Sequence, residues 1–239
     1  MSDPGDLLLS VRGEARKIVS PDYATVAATV ASSAGSKERA VRAAAEALES
    51  LTADLETRGG IALDVSTERR PLTWSAQSVT TREEQSHNDR TGRYERTGNF
   101  TATVAVTVTV RDFELLDALG ALLAAHEKVS VHQVTWDVDW DNPAWPEVRA
   151  DAIQAAIRKG RDYATALGGS LRSVEHIADA GLLSGDSTQH RPTRAVAFGR
   201  AAHAAAGDPD APSLDPVPQE LTAIIEARLT ADGVSFSSH

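Results

Sequence analysis

The chain has 239 residues, enough for one generous domain or two small ones, and about 70% of its unfolded surface is buriable at that size. Its 24 Lys and Arg against 34 Asp and Glu give a net charge of −10, so no nucleic-acid partner is expected. The lack of cysteine excludes thiol catalysis, cysteine-ligated zinc and disulfides.

The first residues, Met1-Ser2-Asp3-Pro4-Gly5-Asp6, carry no basic n-region. Leu7-Leu8-Leu9 is shorter than a signal-peptide core of ~7–15 residues, and no window approaches the ~20 apolar residues of a membrane span. A cytoplasmic chain without a transmembrane segment is therefore expected.

Weak alternation marks a strand at 7–12. A stronger one at 22–32 sets Ala24, Val26, Ala28 and Val30 against Tyr23, Thr25 and Thr29. Over 37–57, Val41, Ala44, Ala45, Leu48, Leu51 and Leu55 recur at helical spacing, with Ser36 as N-cap and Gly59-Gly60 as the stop. A weak strand at 61–69 leads into a long connection, 71–93, with a polar tip from Thr81 to Arg90. The clearest strand is 100–110, with Phe100, Ala102, Val104, Val106, Val108 and Val110 on one face and threonines on the other. Asp112 caps a helix over 113–125, which carries Leu115, Leu116, Leu119, Leu122 and Leu123.

A strand is expected at 129–140. The third helix starts near Pro146, buries Ile153, Ala156, Ile157, Ala164 and Leu167, and stops at Gly168-Gly169. A weak strand at 171–178 precedes residues 184–218, which hold five of the ten prolines; partial disorder is expected over 184–213. Leu221, Ala223, Ile225, Ala227 and Leu229 form the last stripe, with Glu226 and Arg228 opposite. The order β-β-α-β-β-α-β-α-β-β implies hairpins, hence an α+β class: a largely antiparallel sheet with about three helices packed on it. One domain over 7–231 is expected, with tails at 1–6 and 232–239.

The chain carries no Gly-rich phosphate loop ending in Gly-Lys-Ser/Thr, no GxGxxG and no GxSxG. Its seven histidines are scattered, and none makes the i, i+4 pair of a zinc hydrolase. His126 and His132 flank a turn, and the favoured reading is one surface imidazole and one on a strand face. Asp137-Val138-Asp139-Trp140-Asp141-Asn142 resembles the opening of a calcium loop, but Asn142 stands where Gly is wanted and Val148 where Glu is wanted. A strand with Val134, Trp136, Val138 and Trp140 inward and Asp137 and Asp139 outward explains the same residues better. Trp136, Trp140 and Trp145 form either an aromatic platform or strand core plus a staple onto the next helix, and core is favoured. No residue pair is singled out for acid–base work, so neither a catalytic set nor a cofactor or metal is expected.

Several motifs together resemble the SIMPL-domain family. Val11-Arg12-Gly13-Glu14-Ala15 followed by Pro21-Asp22-Tyr23-Ala24-Thr25-Val26 is similar to the family's opening. Gly60-Ile61 with Asp64-Val65-Ser66-Thr67 and Arg70-Pro71-Leu72 resembles its next stretch. Gly92-Arg93-Tyr94 and Val110-Arg111-Asp112-Phe113 match the ends of its Val/Thr strand. Arg149-Ala150-Asp151-Ala152-Ile153 with Lys159, Ala164, Leu167 and Gly168 resembles its long helix, and Pro216-Val217-Pro218 its last strand approach. The resemblance covers 7–183 and 214–231 and supplies no catalytic residues. It implies interaction or assembly, since the family includes envelope-associated bacterial proteins and an animal signalling adaptor.

The expected function is a non-enzymatic interaction protein that self-associates as a homo-oligomer. Its candidate contacts are Arg82, Glu83, His87 and Asp89 on the polar tip, with Trp136, Trp140 and Trp145 as the aromatic candidates. The alternative is a small-molecule binder or enzyme using a cleft near Trp136 and Trp140.

Overall fold

The computed structural model of the chain describes residues 7–64, 66, 69–88, 92–183, 196–197 and 215–233. Two compact units emerge. One is built from β1 (Leu7–Val19), α3 (Ala144–Ala166), β8 (Ser170–Asp179), β9 (Val196–Ala197) and β10 (Gln219–Asp232). The other holds β2 (Tyr23–Ala34), α1 (Lys37–Thr57), β3 (Ile61–Ala62), β4 (Leu72–Ala76), β5 (Thr80–Asn88), β6 (Arg93–Val110), α2 (Leu116–Ala125) and β7 (Val129–Asp137).

The first unit's sheet runs β1-β10-β8, with β9 also paired to β10, and every pairing is antiparallel. β1 and β10 stay in unbroken register from Leu7↔Ala231 to Val19↔Gln219. Period-two patterning places Leu221, Ala223, Ile225, Ala227, Leu229 and Ala231 under α3. The helix meets them with Ala144, Val148, Ala152, Ala156, Gly160 and Ala164, a ridge of four-residue steps. The expected face is therefore corrected: Ile153, Ile157 and Leu167 are only half-buried. The small ridge wins because the backbones approach too closely for larger groups. A Cβ on Gly13 would lie 2.1 Å from the Ala152 carbonyl oxygen, and one on Gly160 would lie 2.1 Å from Leu229 Cδ1.

The helix also starts two residues before Pro146. Asn142 Oδ1 accepts from the Ala144 N–H at 2.9 Å, satisfying one donor of the first turn.

The second unit's sheet runs β3-β4-β6-β2-β7, with β5 also on β6; only β3 and β4 pair in parallel. Ala24, Val26, Ala28 and Val30 of β2 face inward beside Ala102, Val104, Val106, Val108 and Val110 of β6, as the alternation requires. Leu51 and Leu55 of α1 and Leu116, Leu119, Leu122 and Leu123 of α2 complete that core. Ser36 caps α1 through the Arg39 N–H, and Asp112 accepts from the Glu114 N–H at 3.1 Å before a 3-10 turn leads into α2.

Three expectations need correction. The 71–93 connection is mostly β4 and β5. The strand expected at 61–69 is only two residues long, with residues 65, 67 and 68 outside the description. β7 ends at Asp137, so Trp140 is not an inward strand residue; it is 80% exposed. Of the 184–213 connection only Val196–Ala197 is described, and the 1–6 tail lies outside the described residues. Among the described residues, three α-helices and predominantly antiparallel sheets make the class α+β.

Candidate interaction surface

β4 and β5 lie end to end along one side of β6. Leu72 to Ala76 pair with Val110 to Val106, Gln77 N–H donates to the Ala105 carbonyl at 2.9 Å, and Thr80 to Asn88 pair with Thr103 to Arg93. β2 covers the other side of β6 only from Val110 to Phe100. Residues 93–99 of β6 consequently have β5 as their sole strand partner among the described residues, and all seven are exposed. The result is a two-stranded arm extending past the sheet.

Its root is fixed by a polar knot. A bulge between Glu83 and Gln85 leaves Glu84 unpaired in the ladder, as bulges re-aim side chains. The Thr101 hydroxyl donates to Glu84 Oε1 at 2.6 Å, and Ser33 and Thr101 share a 2.8 Å hydroxyl contact. The Ser33 and Thr101 hydroxyls hold the Glu84 carboxyl below its ordinary range.

Arg82, Glu83 and His87 of the expected tip are strand residues on this arm, while Asp89 lies outside the described residues. Glu83 pairs with Arg96 at 3.2 Å, and His87 meets Tyr94 edge-on at 5.2 Å. Their order reflects cross-strand pairing.

The tryptophans serve different roles. Trp136 is buried in its unit's core, edge-on to Phe113 at 5.5 Å. Trp145 packs on the first unit's core and donates through Nε1 to the Asp139 carbonyl at 2.9 Å, with Arg149 over its ring at 5.6 Å. Trp140 is solvent-exposed. One is thus core, one is stapled to its helix and one is exposed.

His126 Nε2 lies 3.0 Å from Asp54 Oδ2, tying the end of α2 to α1, and only 16% of its side chain is exposed. His132 Nε2 lies 2.7 Å from Thr29 Oγ1, at a bulge in β7 between the Ala27 and Ala28 pairings. The two imidazoles thus have separate partners. Among the described residues, no three His, Asp or Glu side chains gather as metal ligands. No described helix is long and apolar enough to cross a membrane.

Each unit carries a concavity among its described residues. A cleft of about 400 Å³ opens between α2 and β7, lined by Val26, Gly120, Leu123, Val131 and His132. A groove of about 450 Å³ lies on the first unit's sheet beside Arg12, Leu183, Glu226 and Arg228. Glu226, 8% exposed, accepts from Arg12 at 2.9 Å and from the Leu183 N–H at 3.3 Å. The Arg12 guanidinium, with backbone N–H groups of Gly181 and Leu183, holds its carboxyl below the ordinary range. Sequence reasoning missed this group because it sits on the polar side of an alternating strand; only the pairing of chain ends brings Arg12 to it.

Two of the motif residues, Gly13 and Pro71, make structural contacts. Gly13 marks the closest approach of β1 to α3, and the Pro71 carbonyl accepts from the Arg111 and Asp112 N–H groups at 2.8 and 3.3 Å. No curated protein matches the chain. The model of SIMPL, described as a protein of unknown function (DUF541), matches residues 9–229, nearly the whole length, and the chain belongs to that family.

Proposed function

We propose that the chain is a non-enzymatic assembly protein that associates with further copies of itself. The observation that carries this reading is the exposed β5–β6 arm, whose outer β6 edge from 93 to 99 offers backbone N–H and C=O groups to a further strand. Strand addition satisfies such groups without needing a deep pocket.

Light scattering on a sizing column, at two protein concentrations and two salt levels, tests it. A mass several times that of one chain is expected. Replacing Gln85–Arg96 with an Asn-Gly turn joins Glu84 to Thr97 and removes the outer arm. The mass should then fall while the urea midpoint moves little, since these groups are exposed. A monomer under every condition sinks the assembly reading; an oligomer unchanged by shortening removes the arm from it.

The cleft between α2 and β7 favours a second reading, a small apolar ligand bound in the second unit. A ligand at 100 times its dissociation constant adds about 2.7 kcal/mol of stability. A thermal-shift screen of acyl chains and aromatic acids without any rise in midpoint would count against it.

A further inference from the structure

Besides the outer β6 edge of the arm, six strands pair with a single neighbour among the described residues, and five of them are poor templates for pairing. β3 and β9 have two residues each, β5 is bulged between Glu83 and Gln85, β7 is interrupted by its bulge near His132, and β8 shifts register twice against β10. Short, bulged or irregular edges resist strand addition. β1 differs. It runs for 13 residues in unbroken register with β10, and among the described residues it pairs with no other strand.

The face of β1 turned away from α3 carries Leu8, Ser10, Arg12, Glu14, Arg16 and Ile18. Leu8 and Ile18, at its two ends, are 56% and 70% exposed, although both are large and apolar. They stand equidistant from Gly13, and Arg12 and Glu14 flank that glycine.

We propose that β1 is the contact between two copies of this chain, paired antiparallel about a two-fold axis at Gly13. This deepens the assembly reading and rests on it. In that register Leu8 meets Ile18 of the second copy, Ser10 meets Arg16, and Arg12 meets Glu14. Glu14 already accepts from Arg16 of its own strand at 2.7 Å, and Arg12 bonds Glu226 at 2.9 Å. Each new Arg12–Glu14 contact therefore joins two existing ion pairs into one alternating row.

Neighbouring registers of the same facing are worse. With Arg12 on the axis, two arginines stand opposite each other. With Glu14 on the axis, glutamates oppose and Arg12 faces Arg16. Like charges directly opposite destabilise a strand pair, whereas apolar and opposite-charge pairs stabilise it. The Gly13 register keeps residues of one facing together, so the two sheets join as one six-strand layer, β8-β10-β1-β1-β10-β8, with both α3 helices on the same face. It is an isologous contact, which closes after two copies.

Cross-linking tests the register, because the chain contains no cysteine. Ser10→Cys and Arg16→Cys proteins are mixed and treated with a short bis-maleimide. Residues 10 and 16 of opposite strands lie about 5 Å apart in the proposed pair. Two copies of residue 10, or two of residue 16, lie six residues apart along the strand, about 20 Å. The mixture should give covalent dimer and each variant alone should not.

A second arm uses exposed residues only. Leu8→Glu and Ile18→Lys should each weaken dimerisation roughly tenfold, and the double variant should recover it by placing Glu opposite Lys. An oligomer by light scattering that cross-links no better in the mixture, and ignores both charge variants, overturns the β1 contact and leaves assembly through another surface. A monomer at all concentrations overturns both readings.

Discussion

At the scale of single residues, identical side chains have opposite consequences. Trp136→Ala should cost about 3–5 kcal/mol, as removal of a buried large ring does, whereas Trp140→Ala should stay within about 0.5 kcal/mol of the parent. Equilibrium urea unfolding measures both; equal losses would refute the assignment of Trp136 to the core and Trp140 to solvent. Glu226 gives a pH signature. Its folded carboxyl titrates below the ordinary 4.5, so its stabilisation is present above that value and lost as pH falls through the depressed one. Glu226→Gln should lower stability at pH 7 and flatten the decline as pH falls below the ordinary 4.5. An acid limb of unchanged steepness would show that Arg12 does not stabilise this carboxylate. The tryptophans are visible in the sequence as types, but their exposure is not, because β7 stops at Asp137 rather than continuing through Trp140.

At the scale of elements, the strongly patterned ones were legible. β2, β6, β10 and α1 follow their apolar periods, with the first, second and third buried on the expected faces. β5 was not legible, because Thr80 to Asn88 contains no apolar residue to alternate, and its strand form comes from hydrogen bonding to β6. The α3 face was legible in part: Ala156 and Ala164 are buried as expected, while Ile153, Ile157 and Leu167 are only half-buried. Counting large side chains selects Ile153 and Ile157, but the seam against β1 is set by backbone approach at Gly13 and selects the small ridge instead. Ala156→Leu should therefore cost about 1–3 kcal/mol through overpacking, and Gly13→Val should cost at least as much. Urea midpoints test this. A neutral Gly13→Val would mean that the β1–α3 seam is looser than the 2.1 Å approach requires.

At the scale of the whole molecule, the first unit is closed by two strands far apart in sequence, β1 and β10. Arg12 bonds Glu226 across 214 residues, and all of β1 pairs with β10. Such non-local pairing slows folding, because the long intervening loop must close before the contact is gained. The single-domain reading of 7–231 makes a further prediction. Variants retaining only Trp136, in the second unit, or only Trp145, in the first, should report coincident urea transitions once corrected for their own stability losses. Two separated transitions would divide the chain into independently folding domains. The proposed assembly belongs to the same scale, because among the described residues β1 has one strand partner.

The sequence by itself determined the α+β class, the three helices, the alternating strands, the acidic and cysteine-free character, and the resemblance to the family that matches 9–229. Those properties reside in local periodicity and composition, which neighbouring residues express without reference to distant ones. The tertiary structure alone decided that β5 is a strand and that α3 leaves Ile153 and Ile157 only half-buried. It also decided which tryptophan is exposed and which strand edge is long and unbroken. Each of these depends on hydrogen bonds or close approaches between segments far apart in the chain. A window of sequence does not contain the partner that fixes them.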